Sequence, residues 1–357
     1  MTEDGIKRRR RGYGRPTLHD VAEAAEVTRI TVSRYINEPA KVAPETAARI
    51  QAAIEQTGYV PNHQAGQLAS GASRIVAALI PNVGHSIFAE TIQGLAEGLR
   101  DSGRELLLMA TGYSMEREEA QLRALGGWAP AALIVTGRHH TPGALRLLRD
   151  AHASGAAVIE IWDHPEQADE VGSFARIGFD HRQTGRMMAQ HLLAQGHRAL
   201  AYVDSGVAED FRAHVRGEGF FEACEEAGAK VWLLRAGTGD AFDAGREAFA
   251  QLRAHRPVTA AAFANDHLAC GALMQAQLGG VAVPDELALL GFGDFPIGRQ
   301  LLPALSTVRP PRSQIGLAAA EAALKSLTTG QEPASRTLAC ELIVRASSMA
   351  QKGDEAM

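Results

Sequence analysis

Arg29, Ile30 and Arg34 stand on one face of the segment 28–37, and Val32, Tyr35 and Ile36 stand on the other. Two arginines and an aliphatic group at this spacing suit the edges of base pairs. A guanidinium makes paired bonds to guanine O6 and N7, and an aliphatic side chain meets a thymine methyl. Thr31, Ser33 and Asn37 suit phosphate oxygens, which position a protein on DNA without reading its sequence. Thr17 and Thr28 sit where two helices would begin and offer further hydroxyls to phosphate. The same residues also fit a plain pair of helices with a solvated charged face, in which Thr31 and Ser33 only pack and cap.

The elements that would position these groups are short helices. Thr17 with Asp20 three residues on makes a capping-box pattern. Leu18, Val21, Ala22 and Ala25 then recur at helical spacing. Glu26-Val27 fits a tight turn, Thr28 caps the second helix, and a third runs from Pro44 to Gly58. Tyr59-Val60-Pro61-Asn62 and HQAGQLASG follow. TLHDVAEAAEVTRITVSRYIN followed by GYVPN resembles the DNA-binding head and hinge of the lactose-repressor/galactose-repressor (LacI/GalR) family. The resemblance implies that Arg29, Ile30 and Arg34 meet base edges. It also implies that residues 61–74 become a hinge helix on operator DNA, with Asn62 capping it and Leu68 wedged into the minor groove. Gly66 and Gly71 weaken that helix, so it should order only on DNA. A passive linker is the competing reading. The heads of this family sit in two-fold dimers on near-palindromic operators.

Composition agrees with one DNA-binding end. The 357 residues carry a net charge of −5, but residues 1–74 hold 11 Lys/Arg against 8 Asp/Glu, and the rest hold 25 against 33. A basic head on an acidic body touches DNA by that head alone. The arm KRRRRGYGR (7–15) is short of apolar residues and suits phosphates or mere solubility. Cys224, Cys270 and Cys340 are isolated and lack metal-ligand spacing. With no secretory h-region and no apolar run of membrane length, the reading is a reduced, cytoplasmic protein without metal or cofactor.

From residue 75 strands alternate with helices. The strand segments are 75–81, 105–110, 131–137 and 157–163, then 199–204, 230–236, 259–266 and 287–294. The helical segments between them are 88–103, 115–128 and 142–155, then 184–197, 215–228, 241–254 and 267–280, with 315–331 last. The expected fold is therefore an all-α helix-turn-helix head (1–60) and hinge (61–74) on an α/β core (75–350). That core is periplasmic-binding-protein-like, with two doubly wound parallel-sheet lobes. The resemblance implies that the chain crosses between lobes, which puts 75–174 and 305–330 in lobe 1 and 175–304 and 331–350 in lobe 2. The tail lacks the heptads of a tetramer-forming coiled coil.

A small-molecule effector would lie where the carboxyl ends of the two lobes' strands face each other. Arg216 matches the family's sugar-holding arginine, and Asn265-Asp266 matches a hydroxyl-contacting position. Asp163, Phe179, Phe292 and Asp294 fall at cleft positions. His85, Ile87 and Phe88 line lobe 1's opening loop. TGRHHTP places Arg138, His139 and His140 past a lobe 1 strand. Arg138 and His140 with Arg216 would make a cationic cleft. TGRHHTP, RPTLHDVA and GFGDFPIG resemble the family's gluconate-repressor branch, which implies gluconate, 2-ketogluconate or 6-phosphogluconate. A neutral-sugar effector and a co-repressor remain open. An enzyme would need a nucleophile elbow, P-loop, zinc or dinucleotide signature, none of which is present. A plain sugar carrier would have no use for residues 15–72.

Overall fold

The computed structural model describes residues 16–60, 73–84, 87–164, 174–255 and 257–349. The basic arm, Asn62, Leu68 and most of the hinge, His85, the Asn37 side chain and the tail from Ala350 lie outside the described residues. The chain divides into two units, 1–72 and 73–357.

In the first unit α1 (Leu18–Ala24), α2 (Arg29–Asn37) and α3 (Pro44–Thr57) enclose Val21, Ala22, Ala25, Val32, Ile50, Ala53 and Tyr59. Asp20 closes the start of α1, accepting from the Thr17 backbone N–H at 2.6 Å and from its hydroxyl at 2.8 Å. Glu26 turns the chain at φ 52°, the left-handed conformation a tight interhelical turn requires. Gly58 ends α3 at φ 65°, a conformation cheap only for glycine.

The second unit holds two six-stranded sheets. Lobe 1 contains β1 (Ile75–Ile80), β2 (Glu105–Ala110), β3 (Ala132–Thr136), β4 (Ala157–Ile161), β5 (Ala175–Gly178) and β11 (Arg336–Thr337), in the order β11-β5-β4-β3-β1-β2. Every neighbouring pair is parallel. Lobe 2 contains β6 (Ala199–Asp204), β7 (Lys230–Arg235), β8 (Ala260–Phe263), β9 (Ala288–Phe292), β10 (Ser306–Arg309) and β12 (Glu341–Ile343), in the order β12-β10-β9-β8-β6-β7. Only β12 is antiparallel, to β10. Inner strands such as IVAALI read as unbroken apolar runs because helices cover both faces of a parallel sheet.

The helices of the core are α4 (Ala89–Gly98), α5 (Met115–Leu125), α6 (Pro142–Ala153), α7 (His181–Ala194), α8 (Phe211–Glu226), α9 (Ala241–His255), α10 (Asp266–Leu278), α11 (Pro296–Gln300) and α12 (Arg312–Thr329). α7 and α8 meet backbone to backbone. A Cβ at Gly185 would collide with the Arg216 carbonyl, and one at Gly219 with that of Arg182. That close approach fixes α8 beside the start of α7.

The lobe boundaries differ from the sequence expectation at three places. Residues 175–178 form β5 of the lobe 1 sheet, 306–309 form β10 of the lobe 2 sheet, and 336–337 return to lobe 1 as β11. The chain thus crosses between lobes after β5, after β10 and after β11. Each misplaced strand is four residues or fewer, too short to carry its own periodicity.

Candidate DNA-binding face and effector cavity

Thr17, Leu18, His19, Arg29, Ile30, Ser33, Arg34 and Glu38 line one shallow open face of the first unit. The α2 N-terminus is built by Thr28, whose hydroxyl oxygen accepts from the Thr31 backbone N–H at 3.2 Å. Ile30 is 71% exposed although it is aliphatic, so it is not a core position of the head. Five residues named from sequence thus share this face: Thr17, Arg29, Ile30, Ser33 and Arg34. Thr28 and Thr31 lie off it, with their hydroxyls 2.9 Å apart. His19 and Glu38 were not named from sequence, and Glu38 pairs with Lys41 at 2.9 Å.

The second unit has a cavity of about 110 Å³ between its lobes. Lobe 1 contributes Asn82, Ile87, Phe88, Tyr113 and Trp162. Lobe 2 and the crossover contribute His181, Asp210, Arg212, Arg216, Ala264, Asn265, His267, Phe292 and Phe295. Most of these follow the carboxyl end of a strand or begin the next helix, where a doubly wound sheet leaves its crevice. Asn82, Tyr113, Asp210, Asn265, His267 and Phe295 also line a larger outer space, so the two adjoin. Tyr113 and Trp162 hold left-handed backbone, at φ 63° and 67°, a strain that non-glycine residues keep where the surroundings demand it.

Arg216 is buried on α8. One η nitrogen donates to His181 Nδ1 at 3.0 Å, the other donates to the Ala264 carbonyl at 2.9 Å, and the guanidinium lies 3.9 Å from the Phe292 ring centre. His181 Nδ1 must then be the acceptor, and its Nε2–H donates to the Trp162 carbonyl at 2.7 Å. Burial, reinforced by the Arg216 charge, holds His181 neutral, well below its ordinary pKa. The Arg216 Nε has no hydrogen-bond partner among the described residues.

Arg212, one turn earlier on α8, is also buried. Its guanidinium sits 5.9 Å from the ring centres of Phe88 and Tyr113, both from lobe 1. Among the described residues neither Arg212 nor Arg216 has a carboxylate at ion-pair distance. The one carboxylate in the lining, Asp210, caps α8 by accepting from the Ala213 backbone N–H at 3.3 Å. Asn265 likewise caps α10 through its oxygen, accepting from the Leu268 N–H at 3.0 Å, which leaves its amide group for a ligand.

Several residues named from sequence stand elsewhere. Arg138 is 3.5 Å from Asp163, so the two neutralise each other in lobe 1 and neither lines the cavity. His140 folds back onto lobe 1 carboxylates, 2.6 Å from Glu118 and 3.5 Å from Glu160, and Glu160 also takes Arg176 at 2.7 Å. The expected contribution of Arg138 and His140 to a cationic cleft is therefore corrected. Burial works against a charged His140, but the two glutamates outweigh it and raise its pKa to about 9. His139 instead stacks on Phe211 of lobe 2, with ring centres 4.5 Å apart, and burial lowers its pKa to about 4.

Asp266 is buried beneath β9 and β10. It accepts from the Thr307 hydroxyl at 2.6 Å and the Phe295 N–H at 2.7 Å, and it does not line the cavity. Burial raises its pKa to about 6. Asp294 is also corrected. It is fully buried and clamped by Arg345 at 2.6 Å, Arg309 at 2.7 Å and Arg299 at 2.8 Å. Phe179 packs against Trp162, His181 and Phe292 behind the cavity wall and does not line it. Of the effector residues named from sequence, Ile87, Phe88, Arg216, Asn265 and Phe292 come together in the lining. Arg212 was missed because the helix was expected to begin at 215. Its signal was Asp210, an N-cap residue ahead of FRAHVR.

A helix-turn-helix head and a two-lobed α/β core define a DNA-binding transcriptional regulator. Residues 17–62 match the family model for bacterial regulatory proteins of the lacI family, and residues 189–348 match the periplasmic binding protein-like domain. The chain belongs to the LacI family. It is 39% identical over 325 residues to the HTH-type transcriptional regulator GntR of Pseudomonas aeruginosa, spanning 90% of this chain and 92% of the relative. It is 32% identical to GntR of Escherichia coli, over 86% of this chain and 90% of the relative. Among solved structures, a LacI-family regulator from Silicibacter pomeroyi superposes with a TM-score of 0.85 at 31% identity, covering 94% of this chain and 100% of that one. The lac repressor dimer bound to operator and the anti-inducer ONPF shares the fold, with a TM-score of 0.80 at 22% identity over 94% of this chain and 100% of that one. These relatives are named as regulators, and the chain is a regulator rather than an enzyme. Among the described residues no helix is long and apolar enough to cross a membrane.

Proposed function

We propose that this chain is a dimeric transcriptional repressor that leaves a near-palindromic operator when a sugar acid binds between its lobes. Gluconate, 2-ketogluconate and 6-phosphogluconate are the candidate effectors. The observation that carries the reading is the pair of buried arginines, Arg212 and Arg216, facing one cavity without a carboxylate partner among the described residues. A buried charge is costly unless paired, so a cavity holding two unpaired guanidiniums is suited to an anion. The aromatic walls suit a carbon chain, and Asn82, Asn265 and His267 suit its hydroxyls. The resemblance to the gluconate-repressor branch and the two GntR relatives point the same way.

On the DNA side, Arg29, Ile30 and Arg34 read bases, and Thr17, Ser33 and Asn37 hold phosphates. Asn62 and Leu68 act through the hinge. The effector preferentially binds one arrangement of the lobes, and the operator requires the other. Release can be no larger than the effector's preference between the two states. The test is operator binding by the purified protein with sugar acids and with their neutral parents. Release by the acids at concentrations where the neutral sugars are silent is expected. Tighter operator binding with the acids would make the molecule co-repressor dependent, and a response to glucose alone would reject the acid.

A further inference from the structure

The two cavity arginines differ in what they are free to do. Arg216 is held on three sides, by His181, by the Ala264 carbonyl and by the face of Phe292. Arg212 meets rings and a phenol instead. It is carried by α8 of lobe 2, yet its guanidinium lies against Phe88 and Tyr113 of lobe 1. Gly137, at the end of β3, passes so close that a Cβ there would stand 2.6 Å from an Arg212 η nitrogen. The Tyr113 phenol cannot serve as a counter-ion, because burial and the nearby Asp210 charge push its pKa up and keep it neutral.

We propose that Arg212 is the residue that distinguishes an acid from a neutral polyol, gripping the effector's carboxylate across the two lobes while Arg216 serves its hydroxyls. The assignment rests on the sugar-acid reading above. A planar guanidinium matches a carboxylate fork, whereas a hydroxyl satisfies only one of its bonds. Since Arg212 reaches lobe 1 from lobe 2, a carboxylate on it is held fully only when both lobes surround the ligand. A neutral polyol makes the hydroxyl contacts but leaves that buried charge without a partner.

The test is titration calorimetry of the full-length protein with gluconate and with glucitol, its uncharged open-chain counterpart, in the wild type and in Arg212→Met. The wild type should prefer gluconate by roughly tenfold or more. Arg212→Met should bring the ratio of affinities close to one by weakening gluconate alone, and should flatten its dependence on ionic strength. Arg212→Lys, which keeps the charge and loses the fork, should fall between. It decides the matter if the methionine variant does not fold. A ratio that survives in both variants, or an equal loss for both ligands, would overturn the role of Arg212 and leave the sugar-acid reading intact. A wild type with no preference for gluconate would overturn both.

Discussion

Lobe 1 and the inter-lobe cavity hold similar side chains, with their charges paired in the first and left cationic in the second. In lobe 1, His140 lies between Glu118 and Glu160, Glu160 also takes Arg176, and Arg138 faces Asp163. In the cavity, Arg212 and Arg216 are buried without a carboxylate partner among the described residues. Asp294, at the end of β9, is one carboxylate shared by three guanidiniums, so its charge, like those of the lobe 1 carboxylates, is partnered within the protein. A charged cluster that is balanced within itself has its partner already and serves the fold. One left unbalanced is poised for a partner from solution. Residue type alone cannot tell these cases apart, and pairing can.

The largest expected effect comes from removing a buried carboxylate that several arginines share. Asp294→Ala should destabilise the core by about 3–5 kcal/mol, because the strands and the C-terminal segment carrying Arg309 and Arg345 lose their shared carboxylate. Urea unfolding measures it, and a wild-type midpoint would show that the clamp contributes nothing. Next in size is the cavity. Arg216→Ala should cost effector binding about 3 kcal/mol, roughly a hundredfold, while operator binding persists, giving a repressor that cannot be induced. Operator release titrated with gluconate reads this directly, and wild-type release would remove Arg216 from the effector site.

A smaller effect should follow pH. The folded pKa of His140, about 9, lies above the ordinary histidine value near 6.5. Its protonated form therefore stabilises the fold. That contribution is complete below about pH 6.5 and is lost as pH rises through about 9. Unfolding midpoints between these limits should decline in the wild type and decline less in His140→Gln. Parallel profiles would show that the ring does not titrate with its glutamates. Smallest is the effect at an exposed arginine of the head. Arg34→Ala should lose about 1–3 kcal/mol of discrimination at one base position per half-site. An equal loss on random DNA would make Arg34 a phosphate contact.

The sequence made the head legible nearly to the residue, because caps, turn and apolar spacing all lie within a few residues of one another. Thr17 with Asp20, Glu26 in the turn and Gly58 at the end of α3 all stand where the local pattern put them. The long strands of both lobes were legible for the same reason. The crossovers were not. β5, β10, β11 and β12 are short, and their sheet membership is decided by partners far away in the chain. The cavity was half legible. Arg216 and Asn265 could be matched to a motif, but whether Arg138, His140, Asp163, Asp266 and Asp294 face a ligand or each other depends on long-range pairing. Thr307 with Asp266, and Arg345 with Asp294, have no local signature.

The central claim is that the unbalanced arginines of the cavity await an anion. Titration calorimetry of the wild-type protein with gluconate and with glucose, at low and at high salt, tests it most directly. The expected result is gluconate binding tighter than glucose by roughly tenfold or more, with a preference that shrinks as salt rises. Tight glucose binding with no response to gluconate, 2-ketogluconate or 6-phosphogluconate would contradict it.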